Sequence, residues 1–490
     1  MPPSGRSPLL STTGSDDTSP LPVTRISKYV STKLKVLTAF GIILVVYIHS
    51  YNGYPRVVNS DSDPSPKDAA TFIEFLLVGG MLRFVVPMLF CFSGYLFFVH
   101  KAAEDFPDFQ FRRRIWSRIK SLGLPYVLWN LISGLLIVAL LQIDTVAFYW
   151  PWEKRLLTPT WSTFRDVLIY PIPFQLWYLR DLLFLVFLSP IFHALFRCSR
   201  SSRILPGWGL LLVPLGASWP WFEASWPLAG WCAFDYCPSL YILDLDGLLY
   251  FPIGCWLALR GAQRTTIPGP AVLALTTVWL GLNVGKTALS FDVGGGTASR
   301  LLLTMLFKTG VPFGVASVWF LYDLVEPKMR GGRLWSLFLS VSPYSMWVYC
   351  AHEPLMGCVL EILQPSMRMC VVVNAGNVTT PEHHGKQFCR HVVSPVWFLV
   401  LYAFGPLLWI AMLLLIGVPL SRYAPVVFEL LTGGRGKSSG TKSAGVVAAP
   451  AVRAPEELIS SAEAADGPAE EANGDARSSC GQRGTAGPTL

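Results

Sequence analysis

Charge is what this 490-residue sequence has least of. Asp, Glu, Lys and Arg together make up 14% of it, against about a quarter in soluble domains. That scarcity excludes an ordinary soluble globule. The net charge of +8 sits in short Lys/Arg clusters between apolar runs, a pattern that reports membrane topology and not nucleic-acid binding. No nucleic acid is expected as a partner. The ten cysteines contain no pair with zinc-ligand spacing, so no metal is expected. No repeat period is evident, and no span alternates as a barrel strand does. Residues 1–30 are rich in Ser, Pro and Thr without an apolar core; they read as a disordered cytosolic leader and not as a secretory signal peptide. Residues 426–490 have the Gly, Ser, Ala and Glu bias of a second disordered cytosolic tail. The chemistry is thereby assigned to a membrane domain, residues 31–425.

Apolar side chains are what is abundant, at 52%. Runs long enough to cross a hydrocarbon core of about 30 Å fall at 36–54, 74–99, 122–143, 174–196, 205–222, 239–259, 267–288, 300–322, 335–362 and 394–420. The basic loops (Arg112–Lys120, Arg197–Arg203, Arg260–Arg264, Lys328–Arg333 and Arg422) alternate with acidic ones. The expected fold is therefore all-α: a polytopic membrane protein of about ten transmembrane helices, both termini cytosolic. It would lie in the plasma membrane or an endomembrane. Two outer loops hold Cys232 with Cys237 and Cys370 with Cys389, either disulfides or free thiols. The second loop also holds the glycosylation sequon Asn377-Val378-Thr379.

The first apolar run ends in His49, with Lys28, Lys33 and Lys35 at its other end. An ionisable side chain inside the bilayer costs several kcal/mol and marks a candidate functional site; a histidine near a helix end also serves simply as an interfacial hydrogen-bonding group. The remaining spans decide between the two. Arg83 precedes Pro87, expected to kink its helix, and Ser93-Gly94, a surface for close packing. Adjacent Arg180 and Asp181 point to different helix faces, so each is expected to pair with another span. Asp246, Lys308, His352 and Glu353 lie in further spans. Charges of both signs spread over many spans imply a polar interior. There, an imidazole oriented by Asp181 or Glu353 can act as general base on a hydroxyl, while Arg83, Arg180 or Lys308 stabilises an oxyanion.

The segments around His49, Pro87–Tyr95, Pro125–Trp129, Leu176–Leu182, Ser189-Pro190 and Ser342–Pro354, in this order, resemble the acyltransferase-3 family of integral-membrane O-acyltransferases over residues 30–422. The resemblance implies about ten helices and an acyl-CoA donor, commonly acetyl-CoA, reached from the cytosol. It also implies a hydroxyl acceptor on a carbohydrate or lipid-linked glycan, with the position of His49 as catalytic base. His352, Glu353, Arg180 and Asp181 join it as catalytic candidates. The family's Arg or Lys eleven residues before the histidine is replaced by Thr38, about 16 Å below His49; Lys35, one turn lower, is the candidate substitute. Arg114, Arg118 and Lys120 are candidates for the CoA phosphates, with Arg83 added, although basic loops also serve topology alone. Two other classes fit the polar spans: a secondary transporter of a small anionic or sugar-like solute, and a scaffold that has lost its chemistry.

Overall fold

The computed structural model describes residues 26–50, 69–99, 108–142, 156–158, 160–200, 245–259, 267–292, 297–353, 356, 359, 368–374, 387–393 and 395–434. The expected span at 205–222, the Cys232/Cys237 pair and the Asn377 sequon lie outside them. Helices dominate: α1 Lys28–Ser50, α2 Ala69–Leu77, α3 Val85–Phe98, α4 Asp108–Arg118, α5 Leu124–Leu140, α6 Trp161–Ile169, α7 Trp177–Arg200, α8 Leu245–Leu259, α9 Gly269–Asp292, α10 Thr297–Met329, α11 Arg333–Val341, α12 Ser345–Ala351, α13 Pro395–Tyr423 and α14 Pro425–Thr432. To the expected all-α bundle the structure adds one antiparallel ribbon, β1 Arg368–Asn374 with β2 Gln387–Val393. Its register pairs Cys370 with His391 and Cys389 with Val372, so the two cysteines are not directly opposed.

Among the described residues, seven helical stretches are long and apolar enough to cross a membrane: Lys28–Ser50, Ala69–Phe98, Phe111–Leu140, Phe174–Phe196, Gly269–Ser290, Leu301–Met329 and Leu399–Tyr423. Of the other three expected runs, 205–222 lies outside the described residues. The run at 239–259 is described from residue 245 onward, as α8. The run at 335–362 is interrupted by the 3₁₀ turn Ser342–Tyr344, where Pro343 removes a backbone donor and separates α11 from the seven-residue α12.

The second span is also broken, though not where Pro87 predicts. α2 stops at Leu77, a turn runs through Gly79-Gly80, and a 3₁₀ turn Met81–Phe84 leads into α3. Pro87 lies in the first turn of α3, where its missing N–H breaks no intrahelical bond, so no kink follows. A side chain at Gly80 would place its Cβ 2.6 Å from Asn283 Oδ1 on α9, which is why the break needs glycine. Backbone carbonyls freed inside a membrane must be satisfied by protein. Here the Gly79 carbonyl accepts from Lys286 Nζ, and the Val78 carbonyl accepts from Arg83 Nε at 2.8 Å.

The tightest helix pair is α3 with α8. A Cβ at Gly254 would lie 1.9 Å from the Cys91 carbonyl oxygen, and one at Gly94 would lie 2.1 Å from that of Phe251. The two glycines let the backbones touch, and Phe90, Phe251 and Cys255 are fully buried around them. α1 lies against α3, α11, α12 and α13. Residues 425–432, expected to begin the polar tail, instead fold as α14. Its Phe428 is buried against Tyr344 and Trp347, the Trp129 indole donates to the Leu431 carbonyl at 3.0 Å, and Gly433 ends it with φ +66°.

Candidate functional site

α1 carries its apolar stripe up to His49, next to last in the helix. α12 is short because the chain turns immediately after Ala351, and His352 caps it. These two ends bring the imidazoles together, ring centroids 5.1 Å apart, with His49 8% and His352 0% exposed. The sequence marks both histidines without showing that they meet.

Around the pair the backbone is held by specific hydrogen bonds. His352 Nδ1 lies 3.2 Å from the Val348 carbonyl and donates to it, which leaves the Nε2 lone pair facing inward. The Trp409 indole of α13 donates to the His352 carbonyl at 3.1 Å. The 3₁₀ turn Phe174–Leu176 is latched onto α12 from the other side: the Tyr349 hydroxyl donates to the Gln175 carbonyl, and Gln175 Nε2 donates to the Cys350 carbonyl at 3.2 Å. The latch places the Phe174 ring 6.1 Å from His49. Among the described residues His49 Nδ1, His352 Nε2, Gln175 Oε1 and Ser345 Oγ are buried without a hydrogen-bond partner. Buried polar atoms are nearly always paired, and a hydroxyl-bearing ligand would satisfy those at the histidines.

The other candidates separate into distinct places. Glu353 is half-buried in the turn directly after His352. Arg180 and Asp181 bridge each other, with Nε and a terminal nitrogen both 2.8 Å from one carboxylate oxygen, and Arg180 also donates to the Ile169 carbonyl. The bond to Ile169 joins Arg180 to another helix, as expected of it, and the bridge between the adjacent pair is added to that. The long arginine side chain curls back along α7 to its neighbour, which helical phase alone does not anticipate. Arg83 is exposed yet close enough to act electrostatically on His49. In the basic segment, Arg114 caps the end of α3 by donating to the Phe97 carbonyl. Arg118 is half-buried, and Lys120 is exposed with its ammonium 5.5 Å from the Trp116 ring. This segment passes into α5 through a π turn, Ile119–Gly123.

Lys35 is exposed on α1; the buried lysine is Lys33, 2% exposed. Its ammonium lies 2.7 Å from Asp323 and 3.7 Å from the Trp319 ring centre, and Tyr29 donates to the same carboxylate. Lys308 bridges Asp246 at 3.2 Å. Lys33 and Lys286 escape a reading of the sequence as loops and spans. The signal for Lys33 is the four-residue spacing from Tyr29 and to Leu37, which sets all three on one face of α1.

A family model described as an acyltransferase domain matches residues 32–421. The succinoglycan biosynthesis protein ExoH of Rhizobium meliloti (strain 1021) is 25% identical over 296 residues, 58% of this chain and 68% of that protein. No solved structure matches this chain.

Proposed function

The chain belongs to the acyltransferase-3 family, and on that premise we propose that it moves an acyl group, acetyl in the simplest case, from acyl-CoA to a hydroxyl of a carbohydrate or lipid-linked glycan, with His49 as general base. Membership makes it a multi-pass membrane enzyme transferring groups other than aminoacyl groups. The polysaccharide connection of the relative supports a carbohydrate acceptor. In this reading both termini are cytosolic, about ten helices cross the bilayer, and acyl-CoA arrives from the cytosolic side.

The observation that carries the proposal is the buried His49–His352 pair with an open nitrogen on each ring. His49 takes the proton of the acceptor hydroxyl as its oxygen attacks the thioester carbonyl. The carbonyl oxygen gains the negative charge, the intermediate collapses, and CoA leaves as the thiolate, which the proton neutralises. His352, fixed by Val348, offers Nε2 as a hydrogen-bond acceptor that keeps hydroxyl or imidazole in register. Arg83, whose charge reaches His49, balances the developing oxyanion. Arg180 and Asp181, tied to each other and to Ile169, hold the start of α7 and with it the Phe174–Leu176 latch. Glu353 extends the site beyond His352. On the donor side, Arg118 and Lys120 receive the CoA phosphates, with Arg114 anchoring the segment to α3 and Lys35 supplying a further cation at that end of α1.

Membranes carrying matched amounts of wild type and His49→Ala, supplied with acetyl-labelled acetyl-CoA, test this directly. Label should enter a glycan or lipid fraction with the wild type and fall about 10²–10⁴-fold in the variant, the usual weight of a general base. Undiminished transfer by a folded His49→Ala protein refutes the assignment.

A further inference from the structure

The break in the second span holds a cation that neither the fold nor the histidine pair uses up. Lys286, on α9, donates to the Gly79 carbonyl and lies 5.1 Å from the centre of the Phe307 ring. Among the described residues it meets no carboxylate. Glu74, one turn earlier on α2, is buried and acts electrostatically on Tyr402, and Asp246 bridges Lys308. The charge beside Lys286 is a second cation, Arg83, held on the neighbouring Val78 carbonyl.

Capping two peptide carbonyls requires only neutral donors. A full charge at membrane depth is costly unless something balances it. The depth is that of the histidines. Val78 packs in one cluster with Tyr402, Tyr47 and Ile48, and Tyr47 and Ile48 directly precede His49.

We infer that Lys286, with Arg83 beside it, is a seat for an oxyanion at the level of His49. Building on the proposed acyl transfer, the acceptor offered to the histidines therefore carries a phosphate or carboxylate. An ammonium on a half-buried stem binds either group as a point charge.

Equilibrium binding of radiolabelled inorganic pyrophosphate and of citrate to the purified full-length chain in detergent at low salt tests the seat without any acyl donor. The wild type should bind at least one probe saturably, and the probe that binds more tightly separates a phosphate from a carboxylate ligand. Lys286→Gln should weaken it at least about tenfold, the loss of one charge-assisted hydrogen bond. Lys286→Arg should retain most of it, and the surface variant Arg165→Gln should leave it unchanged. A second readout needs only the wild type: acylation of Lys286 by a permeant succinimidyl ester, followed by mass spectrometry, should be slowed by the bound probe. Absence of binding to the wild type, equal binding by a folded Lys286→Gln, or unprotected labelling overturns the inference. Binding in a chain that transfers no acyl group would leave the seat standing and remove the acyltransfer proposal; transfer without binding would do the reverse.

Discussion

Replacing Asp323 by Ala removes the counter-charge of a lysine whose side chain is 2% exposed. Lys33 would keep the Trp319 ring face but lose its 2.7 Å carboxylate contact, and the Tyr29 hydroxyl would lose its acceptor. Breaking a buried pair from one side costs about 3–5 kcal/mol. Asp323 is itself 21% exposed, so water reaches the vacated site and the lower end, about 3 kcal/mol, applies. Lys33→Met keeps the length of the stem and leaves Asp323 with Tyr29 and solvent, a loss of about 1 kcal/mol. The double variant Lys33→Met/Asp323→Asn carries neither charge and retains an acceptor for Tyr29, so its loss should fall well short of the sum. Denaturant unfolding of the purified full chain in detergent gives the coupling, expected at about 2 kcal/mol and measured as a double-mutant cycle. An Asp323→Ala protein within about 0.5 kcal/mol of the wild type, or strictly additive losses, would refute the view that α1 and α10 are tied by a desolvated pair.

Gly254→Val should prevent assembly of the bundle, because its Cβ would lie 1.9 Å from a backbone oxygen. Gly281→Ala, with open space around it, should stabilise α9 by up to about 1 kcal/mol; monodispersity and thermal midpoint in detergent distinguish the two. Arg180→Lys should cost about 1.5–3 kcal/mol, because an ammonium cannot reproduce the fork to Asp181 and the bond to Ile169. Arg180→Gln should be worse, since Asp181 is 0% exposed; thermal unfolding orders the three. Phe428→Ala should cost about 3–5 kcal/mol and release α14, read as faster proteolysis near residue 425.

The apolar runs declare the spans because length and hydrophobicity suffice for that. His49 and His352 stand out because ionisable groups are rare inside such runs. Their meeting is not legible, since it depends on where α12 stops and how α13 braces it through Trp409. Lys28, Lys33 and Lys35 look alike as a basic cluster, yet only helical phase separates the buried Lys33 from its exposed neighbours. Pro87 marks the second span for a kink, but a proline's effect depends on its position within a helix, and the break falls instead at Gly79-Gly80, where only the tertiary contact with Asn283 shows the need for glycine. Phe428 is one aromatic in a sequence otherwise read as tail, and its burial is decided by Trp347 and Tyr344, far away in the chain.

The contact of α3 with α8 has a mechanical consequence. With Gly94 and Gly254 each seated against a carbonyl of the opposite helix, neither helix can slide along the other without driving backbone into backbone. A shear motion, in which packed helices shift past one another, is therefore barred at this interface. Any helix motion that admits substrates must pivot around this pair as a fixed post, and the mobile parts of the catalytic cycle must be sought among the other helices.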